Sequence, residues 1–304
     1  VGSTGDIRIG ISGWRYKGWR GIFYPEKLPQ RRELEFAAQQ FRSIELNGSF
    51  YSLQRPSSFR QWTDATPDDF VFAVKGPRFI THMLKLRGVE QPLANFFASG
   101  ILELGAKLGP FLWQFAPQMR FDRPDSKARF ADFFNLLPRT HGEMAKMALL
   151  HHPRFAHRVA LDRSRKVPAR TPLRHCVEIR HESFATPDFI ALLREHNIGL
   201  VVADTVEWPL LFDVTADFVY CRLHGSEQLY VSGYEDVALD LWADRVAAWA
   251  TGCRADGKCA STKLAKLQHR DVYVYFDNDA KVRAPFDAKG LIAKVQQRLA
   301  VRIA

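Results

Sequence analysis

The sequence predicts a single (β/α)8 barrel over residues 6–304, with an extended connection between its fourth and fifth strands. Two observations carry that expectation. Eight short apolar runs alternate with helix-like segments along 304 residues, which fits a closed barrel better than an open doubly wound sheet. Most of the runs also end in polar residues that share one strand face, as the lining of a barrel mouth would. The rival sheet lacks its own signature, because Gly10-Ile11-Ser12-Gly13 is not followed by the third glycine of a dinucleotide-binding turn. Residues 1–5, rich in Gly and Ser, read as a start outside the fold.

The elements follow in order. Ile7, Ile9 and Ile11 alternate with Arg8, Gly10 and Ser12 in strand one, and an aromatic loop with Trp14, Tyr16, Trp19 and Phe23 follows. Residues 31–41 have helical spacing. Strand two, Ser43 to Asn47, places Ile44 and Leu46 on one face and Ser43, Glu45 and Asn47 on the other. After Phe50-Tyr51 a helix starts at Pro56, where proline suits a first turn. Strand three, Phe70 to Lys75, turns Val71, Ala73 and Lys75 inward, and a helix from Leu93 to Leu108 leads to strand four, Phe111 to Phe115, with Leu112 and Gln114 inward. Helices over 126–137 and 142–152 occupy the long connection. Strand five, His175 to His181, carries Cys176, Glu178 and Arg180 on one face and Val177 and Ile179 on the other. A helix over 187–196 precedes strand six, Gly199 to Asp204, read with Leu200, Val202 and Asp204 sharing a face and Asp204 inward. Strand seven, Asp217 to His224, turns Arg222 and His224 inward, and a helix over 236–250 follows. Strand eight, Asp271 to Asp277, turns Tyr273, Tyr275 and Asp277 inward before a closing helix over 288–299.

Composition bounds the function. With 46% hydrophobic and 25% charged residues the chain can bury a large core. No apolar run approaches the roughly 18 residues of a membrane span, and the start has no basic-then-apolar secretory pattern, so no membrane partner and a cytoplasmic location are expected. Four cysteines make no disulfide framework, and Cys253 and Cys259 lack the second pair that a zinc site needs. The net charge of +10 points to a phosphorylated small molecule or nucleic acid as partner. Between Arg154 and Arg174 stand Arg158, Arg163, Arg165, Lys166 and Arg170 against Asp162 alone, a stretch that either meets a polyanion or is simply a solvated loop.

Converging strand ends supply the candidate site. Glu178, Asp204 and His224 are the candidate general acids and bases. Lys75, Arg180 and Arg222 suit an anion, held by paired hydrogen bonds in the arginine case. Glu45, Asn47, Gln114, Tyr275, Asp277 and Asn278 complete the polar lining, and Trp14 and Tyr51 are placed to stack a base or sugar ring. Thr81 and His82, after strand three, are further candidates for the mouth. Cations interleaved with the acids make a poor ligand set, so neither a metal nor a cofactor is expected. Three functions stay open: an enzyme binding and hydrolysing a phosphorylated or nucleic-acid substrate, a non-catalytic nucleic-acid-binding protein, and a metal-dependent sugar isomerase or aldolase-like enzyme.

Ser12-Gly13-Trp14-Arg15-Tyr16, Glu45-Leu46-Asn47 with Phe50-Tyr51, Phe72-Ala73-Val74-Lys75 with Thr81-His82, Val177-Glu178-Ile179-Arg180-His181, Arg222-Leu223-His224-Gly225 and Tyr273-Val274-Tyr275-Phe276 with Asn278-Asp279 occur in an order that resembles the YecE-like family of uncharacterised TIM-barrel proteins. The resemblance implies the barrel and, by fold analogy with apurinic endonucleases and sugar isomerases, a phosphoester or sugar ligand; it implies no reaction. Two positions depart from the family pattern: Asp277, where asparagine is usual, and Phe184, where tryptophan is usual.

Overall fold

The computed structural model describes residues 4–159, 167–225 and 229–303, with the side chains of Arg158 and of residues 301–303 outside that description. Eight parallel strands close into a barrel in sequence order: β1 (Ile7–Ser12), β2 (Ser43–Leu46), β3 (Val71–Lys75), β4 (Leu108–Gln114), β5 (His175–Glu178), β6 (Gly199–Asp204), β7 (Phe218–Leu223) and β8 (Asp271–Phe276). Closure is made by β1 on β8, with Ile9 opposite Val274 and Gly10 opposite Tyr275. The (β/α)8 barrel is therefore as the sequence predicts. Gly5 is already tied to it, its N–H donating to the Ala250 carbonyl at 2.9 Å.

Between the strands run α1 (Glu33–Gln40), α2 (Gly48–Tyr51), α3 (Pro56–Asp64), α4 (Glu90–Ala98), α5 (Ser126–Leu136), α6 (His141–Ala148), α7 (Pro187–Glu195), α8 (Asp236–Ala250) and α9 (Ala284–Ile303). Local chemistry sets several starts. Thr186 caps α7 by accepting from the Phe189 N–H, with Pro187 in the first turn. Thr140 caps α6 in the same way. The helix expected over Leu93–Leu108 is instead two pieces, because Gly100 adopts φ 108 and the chain restarts as a 3-10 turn at Ile101–Lys107. Any Cβ at Gly100 would also lie 2.6 Å from the Pro56 Cα.

Two apolar layers result. Ile44, Val74, Trp113, Val177, Val219 and Val274 face the helices in one large core. Ala73, Leu112, Cys176, Val201, Ala203, Phe218, Tyr220, Tyr273 and Tyr275 fill the barrel interior. The β4–β5 connection carries α5 and α6, and its Phe121 and Phe130 pack ring to ring with Phe184, which follows β5, and Phe189 of α7, so Phe184 is a buried packing residue. Arg174 pairs with Asp271 at 2.6 Å, both at the amino-terminal end of their strands and so at the end of the barrel opposite the mouth. Arg163, Arg165 and Lys166 lie outside the described residues. Among the described residues no helix is long and apolar enough to cross a membrane.

Candidate functional site

Arg222, on the inner face of β7, is fully buried and is the hub of the site. Its Nε and Nη2 donate to the two oxygens of Glu45 at 3.1 and 2.9 Å, a bidentate fork. Nη1 donates to Glu178 at 2.6 Å and Nη2 to Asp277 at 2.7 Å. Glu45 is completed by the Ser12 and Tyr220 hydroxyls at 2.5 and 2.6 Å. A buried charge cluster is tolerable only when its members are paired and hydrogen-bonded, as Arg222, Glu45, Glu178 and Asp277 are. Despite burial, which acts the other way, Arg222 and then Arg180 hold Glu178 well below the usual carboxylate range; Arg222, with His224, does the same for Asp277.

His224 is enclosed between these acids. Its Nε2 lies 3.5 Å from Glu178 and its Nδ1 3.1 Å from Asp277, while Trp208 and Tyr230 meet its ring edge-on. Arg180, just past β5, donates to Glu178 at 2.8 Å and to Gln114 at 2.9 Å, and its guanidinium lies 4.2 Å from the centre of the Trp208 ring.

Above this floor opens a cavity of about 760 Å³, walled by Tyr16, Asn47, Phe50, Tyr51, Lys75, Arg78, His82, Met83, Gln114, Arg180, Tyr230, Asp277 and Asp279. Lys75 rests its ammonium 4.4 Å from the Phe50 ring centre and has no hydrogen-bond or carboxylate partner among the described residues. Burial, followed by Arg222, lowers its pKa to about 8. Asp279 behaves in the opposite sense, since burial and the neighbouring Asp277 raise it to about 6. Lys75 and Asp279, moved toward neutrality from opposite sides, thus both belong to the cavity wall.

A model of the family described as a protein of unknown function, DUF72, matches residues 8–303. The chain belongs to the DUF72 family. Relatives of this DUF72 chain include the UPF0759 protein YunF of Bacillus subtilis, 33% identical over 75 residues, and the UPF0759 protein YecE of Escherichia coli, 30% identical over 123 residues. Those stretches cover 25% and 36% of this chain, and only 26% and 43% of the relatives' own lengths. A DUF72 family protein of Thermotoga maritima superposes with TM-score 0.68 at 23% identity, covering 97% of this chain and 99% of its own. One from Enterococcus faecalis gives 0.64 at 16%, covering 98% and 99%. These structural likenesses are likenesses of fold.

In this DUF72 chain the structure gathers Glu45, Asn47, Lys75, Gln114, Glu178, Arg180, Arg222, His224 and Asp277 at the carboxyl end of the barrel, with Tyr51 on the rim. Five expectations are corrected. Asp204 faces the helices, because Val201 and Ala203 are the inner residues of β6; its carboxylate accepts from Trp242 of α8 at 3.0 Å. Glu178 and His224 are inward but enclosed, and do not reach the cavity wall. Tyr275 lies in the apolar interior beneath it, its hydroxyl 2.6 Å from that of Ser43. Asn278 is buried in the β8–α9 turn, donating to Asp287 and to the Ser232 carbonyl. Trp14 packs edge-on against Trp62 and lines a separate cavity of about 260 Å³.

The residues missed are Arg78, Tyr220 and Tyr230. Tyr220 shares the phase of Arg222, which was the available signal. The others come from loops, where no strand periodicity operates. Among the described residues, no group of three His, Cys, Asp or Glu side chains is arranged to hold a metal ion.

Proposed function

We propose that the mouth binds a phosphorylated small molecule and that Lys75 and Asp279 are its proton-transfer groups. The observation that carries this reading is the state of Lys75. Glu45, Glu178 and Asp277 spend their hydrogen bonds on arginines, which leaves this ammonium nearly buried, within the field of those acids but with no hydrogen-bond acceptor or direct ion pair among the described residues. A nearly buried ammonium without acceptors is costly unless a ligand supplies them, and anionic oxygens are the strongest acceptors. Arg78 and Arg180 add donors on the same wall; Arg180 commits Nε and Nη2 to Glu178, Gln114 and Tyr230, which leaves Nη1 for a ligand oxygen. A cavity of about 760 Å³ is the size of a small-molecule site, which favours a compact ligand over a nucleic-acid strand.

Asp279, half-protonated near pH 6, can give or take a proton beside the bound group, and Lys75 can do so near pH 8. Hydrolysis of a phosphoester is the reaction class this pairing supports best.

Calorimetric titration with inorganic phosphate and with a hexose phosphate tests the reading. Wild type is expected to bind, and Lys75→Met to weaken binding about 10- to 100-fold, the range for a hydrogen bond to a charged group. Absence of binding by both compounds, or equal affinity in Lys75→Met, would sink it. Assay of phosphomonoester turnover with Asp279→Asn then separates an enzyme, whose rate falls while binding persists, from a binding protein with no turnover to lose.

A further inference from the structure

β3 runs into a π-helical turn, Phe79–Met83, that holds Thr81 and His82. Such turns are rare and frequent at functional sites. Thr81 is fully buried, so no solvent reaches its hydroxyl. That hydroxyl lies 2.9 Å from His82 Nδ1 and has no other partner among the described residues. A buried O–H proton left unshared costs about 1–3 kcal/mol, so Thr81 donates and Nδ1 accepts. The imidazole is then neutral and its proton is on Nε2. Protonating Nδ1 would leave two hydrogens facing each other.

The surroundings act in the same direction. Burial, then Arg180, Lys75 and Arg78, lower the ring's pKa to about 4, with Glu178 alone opposing them. The ring is fixed edge-on to Phe50, centroids 5.2 Å apart, and that same phenyl ring carries Lys75. Nε2 has no protein partner among the described residues, and His82 forms part of the cavity wall.

We propose that His82 is a neutral hydrogen-bond donor of the mouth, presenting Nε2–H to an oxygen of the bound anionic group, with Thr81 as the positioning residue that fixes its tautomer. The identity of the acceptor rests on the phosphate reading above; the tautomer does not. Together Lys75, Arg180 and His82 form a wall of donors. The ligand group they fit is acceptor-only, as a fully ionised phosphoryl group is and a protonated amine or a neutral hydroxyl is not.

The test is long-range proton–nitrogen NMR of the histidine rings in the full chain between about pH 5.5 and 8, the range in which an ordinary histidine titrates. In the free protein, His82 is expected to show a bare Nδ1 and a protonated Nε2 throughout, and on addition of inorganic phosphate Nε2–H is expected to shift. Thr81→Val should bring in the Nδ1–H tautomer and weaken phosphate binding about 3- to 10-fold, the worth of one ordinary hydrogen bond. His82→Gln, which keeps an N–H, should bind better than His82→Leu. A protonated Nδ1, or a ring that titrates within this range, would overturn the proposal. So would Lys75-dependent phosphate binding that leaves the His82 Nε2 resonance unmoved. If wild type binds no phosphate, the ligand reading falls along with the donor role, while the spectrum of the free protein still decides the tautomer.

Discussion

Arg222 is the side chain on which the site's stability turns. It touches three carboxylates, two of them fully buried, so replacing it leaves Glu45 charged without a cation in the barrel interior and Glu178 with Arg180 alone. Arg222→Met is expected to cost about 3–5 kcal/mol, read as a lowered urea midpoint. Arg222→Lys should recover little, since an ammonium cannot reproduce the fork to Glu45. A loss below about 1 kcal/mol would mean that these acids are neutral in the native state. At this scale the sequence was legible wherever a charge interrupted an apolar strand, as at Glu45, Lys75, Glu178 and Arg222. It was illegible at Asp204, because Val201 and Ala203 on one face of β6 are as apolar as Leu200 and Val202 on the other. A strand buried on both sides carries no alternation to say which face is inner.

Among the elements, the loop after β3 departs furthest from ordinary backbone. Directly beyond the π-helical turn, Lys85 and Leu86 adopt φ 51 and 68, and the Leu86 N–H closes back onto the Ile80 carbonyl at 3.0 Å. Left-handed conformation costs a non-glycine residue roughly 1–2 kcal/mol. Leu86 recovers this by being buried, but Lys85 is exposed and makes no compensating contact in the core. Lys85→Gly should therefore raise stability by up to about 1 kcal/mol, measured as a higher Tm, with phosphate affinity unchanged. A lower Tm would show that the Lys85 side chain does more than follow the backbone. Helices and strands were legible from periodicity and caps, whereas this turn was not. Nothing in Phe79 to Met83 distinguishes i→i+5 bonding from an ordinary loop. Gly100 is the intermediate case: a glycine inside an apparent helix was visible, but neither its positive φ nor the Pro56 backbone that bars a Cβ there was.

For the whole molecule, the site makes stability depend on pH in a definite sense. Glu178 and Asp277 are held below their ordinary pKa values, so the unfolded chain binds more protons than the native one as acid is added. Their stabilisation is complete above the unfolded values near 4 and is lost as pH falls toward the folded ones. Asp279 has the opposite sign: raised to about 6, it favours the native state at low pH and loses that contribution as pH rises from about 4 to 6. Two depressed acids outweigh one raised acid, and the net charge of +10 grows as carboxylates are neutralised, adding self-repulsion. Unfolding free energy should accordingly fall steeply below about pH 4. Asp277→Asn isolates one part of this slope, because it keeps the shape and a hydrogen-bond acceptor for Arg222 while removing the titrating charge. Arg222 would still be paired with Glu45 and Glu178. We expect the variant to be less stable than wild type at pH 7, by on the order of 1–2 kcal/mol, and the two urea midpoints to converge as pH drops toward 2. With Asp277 gone, Asp279 loses the second-largest cause of its raised pKa, so the variant's own pH dependence between about 4 and 6 should also flatten. Parallel midpoint curves over the whole acid range would show that Asp277 titrates alike in the folded and unfolded chain, and would remove it from the charge network that holds the mouth together.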